Sequence, residues 1–131
     1  MTDFELLKKM HKEYNLSTDD FFKHQHYTII TRRGIDKIQA KAKIYIEYIP
    51  IKCESNYASV KAKAERNGVK IETFGSALKG TTSRDGNCNT WYVLEMAEKR
   101  AMSRAVLKLT GFYELGVYGQ DESEDFVKPR A

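Results

Sequence analysis

Residues 57–78 read YASVKAKAERNGVKIETFGSAL. Two alternating runs flank the pair Asn67-Gly68. Asn-Gly is the strongest short hairpin signal, because the tight turn that suits two twisted strands needs positive φ at both central residues. With those two residues as the loop, Arg66 faces Val69 and the register follows outward. One face then holds Ala64–Ile71, Ala62–Thr73, Val60–Gly75 and Ala58–Ala77. It is small and apolar, shaped to let a helix approach closely. The other face holds Glu65–Lys70, Lys63–Glu72 and Lys61–Phe74. Two of these are opposite-charge pairs, each contributing about 0.2–1 kcal/mol. Lys61 lies beside an aromatic ring and is not explained by pairing.

The helix that the small face calls for is EMAEKRAMSRAVLKLTGF, residues 95–112. At about 100° per residue, Leu94, Ala97, Ala101, Ala105 and Phe112 fall in one narrow sector. Alanine there matches the Ala- and Gly-rich hairpin face. Met96 and Leu107 point to the opposite side, with Met102 and Val106 between. Such a helix needs two partners. The second is either the N-terminal helices of the same chain or a neighbouring subunit. Arg100, Arg104 and Lys108 recur at four-residue steps along one flank. They read either as a solvated face or as a track of evenly spaced cations for phosphates. Asn89 or Thr90 is placed to cap this helix, which is expected to start near Trp91, and Gly111 to end it.

Upstream, Thr2 and Glu5 fit a capping box before FELLKKMHKEY, whose Phe4, Leu7, Met10 and Tyr14 recur at helical spacing. NLSTDDFFKHQH brings turn and cap residues with room for one helical turn, and YTII is a short apolar strand or extended run. Thr31 caps RRGIDKIQAKA, a second helix with Ile35, Ile38 and Ala42 on one face, which Gly34 weakens by about 1 kcal/mol relative to Ala. KIYIEYIPIKCE is a strand that Pro50 confines to an edge or a bulge. KGTTSRDGNCNT is a polar loop with an Asp85-Gly86 turn. The fold expected is α+β: a three-stranded antiparallel meander packed against a long C-terminal helix, with one or two short N-terminal helices. Residues 1–118 form a single domain, and 119–131 an acidic tail expected to be mobile.

The chain of 131 residues carries a net charge of +4, but the charge is segregated. Residues 27–113 hold 16 basic and 8 acidic residues, whereas both ends are net acidic. A basic middle points to an anionic partner, with nucleic acid the first candidate, although Lys and Arg also serve solubility alone. No apolar run reaches the length of a membrane span. The N-terminus has early acids and no apolar core of a signal peptide. Cys53 and Cys88 form no ligand pattern, and two free thiols suit a reducing cytoplasm. His24 and His26 have no partners at zinc spacing. There is no phosphate-binding G-x-x-x-x-G-K-[ST] loop, and carboxylates are scattered singly in the basic middle, which disfavours a two-metal nuclease. The residues thus suggest no enzyme, no metal site and no cofactor. Trp91, Tyr92, Tyr45, Tyr48 and Phe74 could stack bases, but most aromatics of so small a domain are expected in the core; Phe74, beside Lys61, is the best candidate.

The segment ETFGSALKGTTSRDGNCNTWYVLEMAEKRAMSRAVLKLTGF, with TIITRRGIDKIQAKAKIYIEYIPI before it, resembles the single-strand annealing proteins of phages and prophages, in the Rad-fifty-two-like superfamily. The shared features are their order: a short helix, a β-meander, a glycine-containing loop, and a long helix with a Gly-aromatic stop. The resemblance covers roughly residues 27–113. It implies an ATP-independent, ring- or filament-forming homo-oligomer that binds single-stranded DNA in a basic groove, in the cytoplasm of a bacterial or phage-infected cell. The positions it points to are Lys61 on the hairpin and Arg100, Arg104 and Lys108 on the long helix. Arg32 and Arg33 at the start of the second helix, and Lys79 and Arg84 in the loop, match it more weakly. The alternative is a protein–protein module in which the two-sided helix packs a partner and the positive charge is incidental.

Overall fold

The computed structural model describes residues 2–24, 27–80, 86–88 and 90–120. Among them are three α-helices, α1 (Asp3–Glu13), α2 (Arg32–Ala42) and α3 (Val93–Thr110). There are six strands: β1 (Phe21–His24), β2 (Tyr27–Ile30), β3 (Tyr45–Cys53), β4 (Tyr57–Arg66), β5 (Val69–Leu78) and β6 (Val117–Gly119). The fold is α+β, with an antiparallel β3-β4-β5 sheet packed on α3. Among the described residues no helix is long and apolar enough to cross a membrane. His26, the Asn89 cap, Asp85 of the expected turn, Arg84 and the tail from residue 121 lie outside the described residues.

The β4–β5 hairpin has the register that Asn67-Gly68 dictates, from Arg66↔Val69 out to Ala58↔Ala77 and Tyr57↔Leu78. Asn67 and Gly68 have φ of 51° and 83°, so both central residues take the left-handed conformation that this turn demands. Ala58, Val60, Ala62, Ala64, Thr73 and Ala77 are buried. The helix crosses at Gly75. A Cβ there would lie 2.1 Å from the Ala97 carbonyl oxygen and 2.6 Å from the Ala101 nitrogen. The Thr73 hydroxyl donates to the Ala101 carbonyl at 2.7 Å, so even the polar residue on this face binds the helix. Pro50 satisfies both expectations at once: β3 is an edge strand, and its pairing with β4 shifts between Pro50 and Lys52.

α3 is buried on two sides, and each side has its own core. Ala97 and Ala101 belong to the cluster on the sheet with Ala58, Val60, Ala62 and Ala77. Met102, Val106 and Leu107 belong to a second cluster with Met10, Tyr14, Ile30, Ile35 and Ile38. The second partner of the helix is therefore the N-terminal part of the same chain. Met102, Val106 and Leu107 are thereby buried within the chain.

Two elements were not anticipated. β1 pairs antiparallel with β2, and β6 pairs parallel with β2, giving a small mixed sheet. β6 ends at Gly119. Thr2 and Thr31 cap their helices, their hydroxyls accepting from the Glu5 and Gly34 N–H groups. Gly34 is needed for contact as well: a Cβ there would meet Ile30 Cγ1 at 2.6 Å. α3 begins at Val93, two residues later than expected, with Tyr92 at the N-cap. Thr90 instead accepts from the Tyr92 N–H through Oγ1 at 3.3 Å. Gly111, at φ 89°, ends it as expected.

A buried carboxylate ties the N-terminal part together. Asp20 is fully buried and bonded by Lys37 Nζ at 2.8 Å, Arg33 Nε at 3.1 Å and the Ser17 N–H at 3.0 Å. Burial pushes its pKa up, but the hydrogen bonds from Lys37, Ser17 and Arg33 together outweigh it and hold the carboxyl down at about 2.

Candidate nucleic-acid interface

The expected phosphate track on α3 is not what its cations form. β5 is the second edge of the sheet, and the backbone groups of Phe74 and Ser76 point away from β4. Arg104 Nη1 donates to the Phe74 carbonyl at 2.7 Å, and Arg100 Nη1 to the Ser76 carbonyl at 2.8 Å. Arg100 Nη2 also donates to the Asn87 carbonyl at 2.7 Å, and only 2% of the residue is exposed. Farther along, Asn87 Oδ1 accepts from the Leu78 N–H at 2.7 Å, and the Asn87 and Cys88 N–H groups donate to the Leu78 carbonyl. The arginines thus close a strand edge that would otherwise offer free backbone groups to another chain. Arg100 is a structural residue, corrected from the DNA-contacting set: a guanidinium buried on two carbonyls is not presented to a phosphate. Arg104 is half-buried on the same edge, and Lys108 is exposed with Nζ 5.2 Å from the Tyr113 ring centroid.

The arginines of α2 are engaged too. Arg33 holds Asp20, and Arg32 pairs with Asp36 one turn along at 3.6 Å. Neither joins the hairpin cations.

What the structure leaves open is the sheet face turned away from α3. Register and alternation place five rows on it. At the hairpin end they are Tyr45–Glu65–Lys70 and Glu47–Lys63–Glu72. These line a shallow hollow in which three carboxylates alternate with two lysines. Toward the other end come Ile49–Lys61–Phe74, Lys52–Ser59–Ser76 and Tyr57–Leu78. The strands contribute two lysines and no carboxylate to this far half. Phe74 is 51% exposed beside Lys61, as the register requires. Lys52 Nζ lies 5.9 Å from the Tyr57 ring centroid.

The lysines are loosely paired. Lys63 faces Glu72 as expected, but Glu72 forms its ion pair diagonally with Lys61 at 3.7 Å, so Lys61 is paired after all. The twist of the sheet brings diagonal long side chains within reach of each other. Lys52 meets Glu54 at 3.6 Å, and Lys70 meets Glu65 at 3.9 Å as expected. The Lys52 and Lys70 pairs are exposed and Lys61 is half-buried; at such distances the pairs contribute little and can be exchanged for a phosphate.

Four of the five candidate aromatics are on the surface, against the expectation of a core role: Tyr45, Phe74, Trp91 and Tyr92. Tyr48 is the exception. It packs against both core clusters, and burial raises its hydroxyl to a pKa of about 12, with Glu98 adding to the shift. Lys79, one residue beyond β5, holds Nζ 5.0 Å from the Trp91 ring centroid. Among the described residues no group of three or more His, Cys, Asp or Glu side chains is placed to hold a metal ion. No protein-family model, curated protein or solved structure matches this chain.

Proposed function

We propose that this chain binds single-stranded DNA across the far half of its open sheet face. The observation that carries the reading is the Phe74–Lys61 pair: an exposed ring beside a lysine, on a half-face to which the strands bring no carboxylate. Arg104 holds the carbonyl of that same Phe74, so the ring stands on a fixed backbone. An exposed ring can stack on an unpaired base, whereas bases in a duplex are already stacked on one another. Lys61 and Lys52 on this half, with Lys79 at the end of β5, are the cations that would meet the phosphates. In the setting the resemblance implies, such binding serves strand annealing by a homo-oligomer without ATP. Exposed Phe74, Ile51 and Leu78 would also suit a protein partner. Lys61 and Lys52, each held only loosely by a glutamate at 3.6–3.7 Å, favour the nucleic acid.

The test is the anisotropy of labelled oligo-dT and duplex oligonucleotides titrated at several salt concentrations, beside a mass measurement and an annealing assay. Three phosphate contacts predict that log K falls with log[salt] at a slope of about −2 on single strands. Weaker binding to duplex is expected. No binding at low salt overturns the reading.

A further inference from the structure

Trp91 is the chain's one tryptophan, and it is 67% exposed, with Tyr92 beside it at 69%. Neither lies on a loose end. Cys88, three residues before Trp91, is buried and bridged to Lys79, and the Gly80 N–H donates to the Cys88 carbonyl at 2.9 Å. Val93, two residues after it, is buried at the start of α3. The indole is thus anchored on both sides and still presented to solvent. Lys79 is anchored as well, its N–H donating to the Asn56 carbonyl at 2.7 Å. Among the described residues from Lys79 to Leu94, Lys79 is the one charged side chain. A flat, exposed ring with an ammonium group at its face suits an aromatic ligand that carries negative charge.

We infer that Trp91 and Lys79 form a second stacking site, which takes an unpaired nucleobase and its phosphate at the end of β5. This rests on the binding reading above and deepens it. Lys79 directly follows Leu78, and Phe74 to Leu78 spans about 13 Å of strand. That is about four stacked-base spacings of 3.4 Å, so one base cannot touch both rings and a single strand must continue from Phe74 to reach Trp91. The site therefore sets a minimum length for tight binding. Lys79 leaves the indole face when the base takes it and pairs with the adjoining phosphate.

Indole emission reports on Trp91 alone, since the chain has no other tryptophan. Oligo-dT of about 4 and about 12 nucleotides is titrated at low salt, with emission and label anisotropy followed together; the lengths bracket the spacing above. The long oligonucleotide is expected to quench emission in step with the anisotropy, and duplex is expected to leave emission unchanged. Trp91→Ala is expected to weaken the long oligonucleotide about 5- to 150-fold and the short one less than about 2-fold, with Trp91→Phe retaining most of the affinity. Circular dichroism checks that each variant is folded. Anisotropy that rises without an emission change, with Trp91→Ala binding like the wild type, overturns this site and leaves the sheet reading intact. If anisotropy does not rise with any oligonucleotide, both fall.

Discussion

Phe74 and Gly75 are neighbours in one strand, and they divide the labour of the sheet between its two faces. At Gly75 the backbone of α3 comes so close that a methyl group has no room. At Phe74 a ring stands half in solvent. The inner face is built from small side chains because close approach maximises contact between helix and sheet. The outer face is built from long ones, Lys61, Lys63, Glu72 and Phe74, which the inner packing leaves free to vary. The arginines of α3 show where the division runs. Placed on the helix flank, they reach round to the β5 edge and serve the inner layer, although their charge had suggested the outer role.

The sharpest way to break this comparison is Gly75→Val. It should leave the protein unable to fold stably, a loss of at least about 3 kcal/mol from overpacking against backbone, read as a collapse of the thermal transition. A folded variant of normal stability would mean that the helix does not lie where the sheet face suggests. Next comes Arg100→Gln, which abandons the Ser76 and Asn87 carbonyls. It should cost about 3 kcal/mol, roughly 10 °C in melting temperature, with DNA affinity of the folded fraction unchanged. Weakened binding at unaltered stability would return Arg100 to the outer role.

Phe74→Ala makes the opposite demand. Binding to single strands should weaken by about 1–3 kcal/mol while the melting temperature stays within a few degrees. Asp20 supplies a control away from both faces. Its carboxyl is held below its ordinary pKa, so its stabilisation of about 2 kcal/mol is complete above about pH 4 and fades as pH falls toward 2. Acid titration of Asp20→Asn should lack this part of the pH dependence. The smallest effect is expected for Lys63→Gln with Lys70→Gln on the hairpin half. There the carboxylates outnumber the lysines, and affinity should change by less than about 0.5 kcal/mol. A large loss would move the interface to the hairpin end.

How far these assignments could be read beforehand differs from element to element. The Asn67-Gly68 turn carries its own register, and each pair then follows by alternation. The alanines of α3 announced a close helix–sheet contact for the same reason, that side-chain size is written in the chain. β1 and β6 escaped notice because they are short, and β2–β6 pairing joins segments nearly ninety residues apart, for which no local pattern exists. Arg100 was misread because a four-residue step gives a direction from the helix axis and no more. The tight approach at Gly75, opposite Ala97 and Ala101, was the available hint that flanking side chains would meet a strand edge.

By itself the chain determined its turns, its caps and the small-residue face on which the helix lies, since these depend on local backbone conformation and on side-chain volume. Only the tertiary structure decided which cations are free. A long side chain chooses between solvent and a carbonyl according to what lies within its reach. What lies within reach of Arg100, Arg104 and Lys61 is brought there by residues far away in sequence.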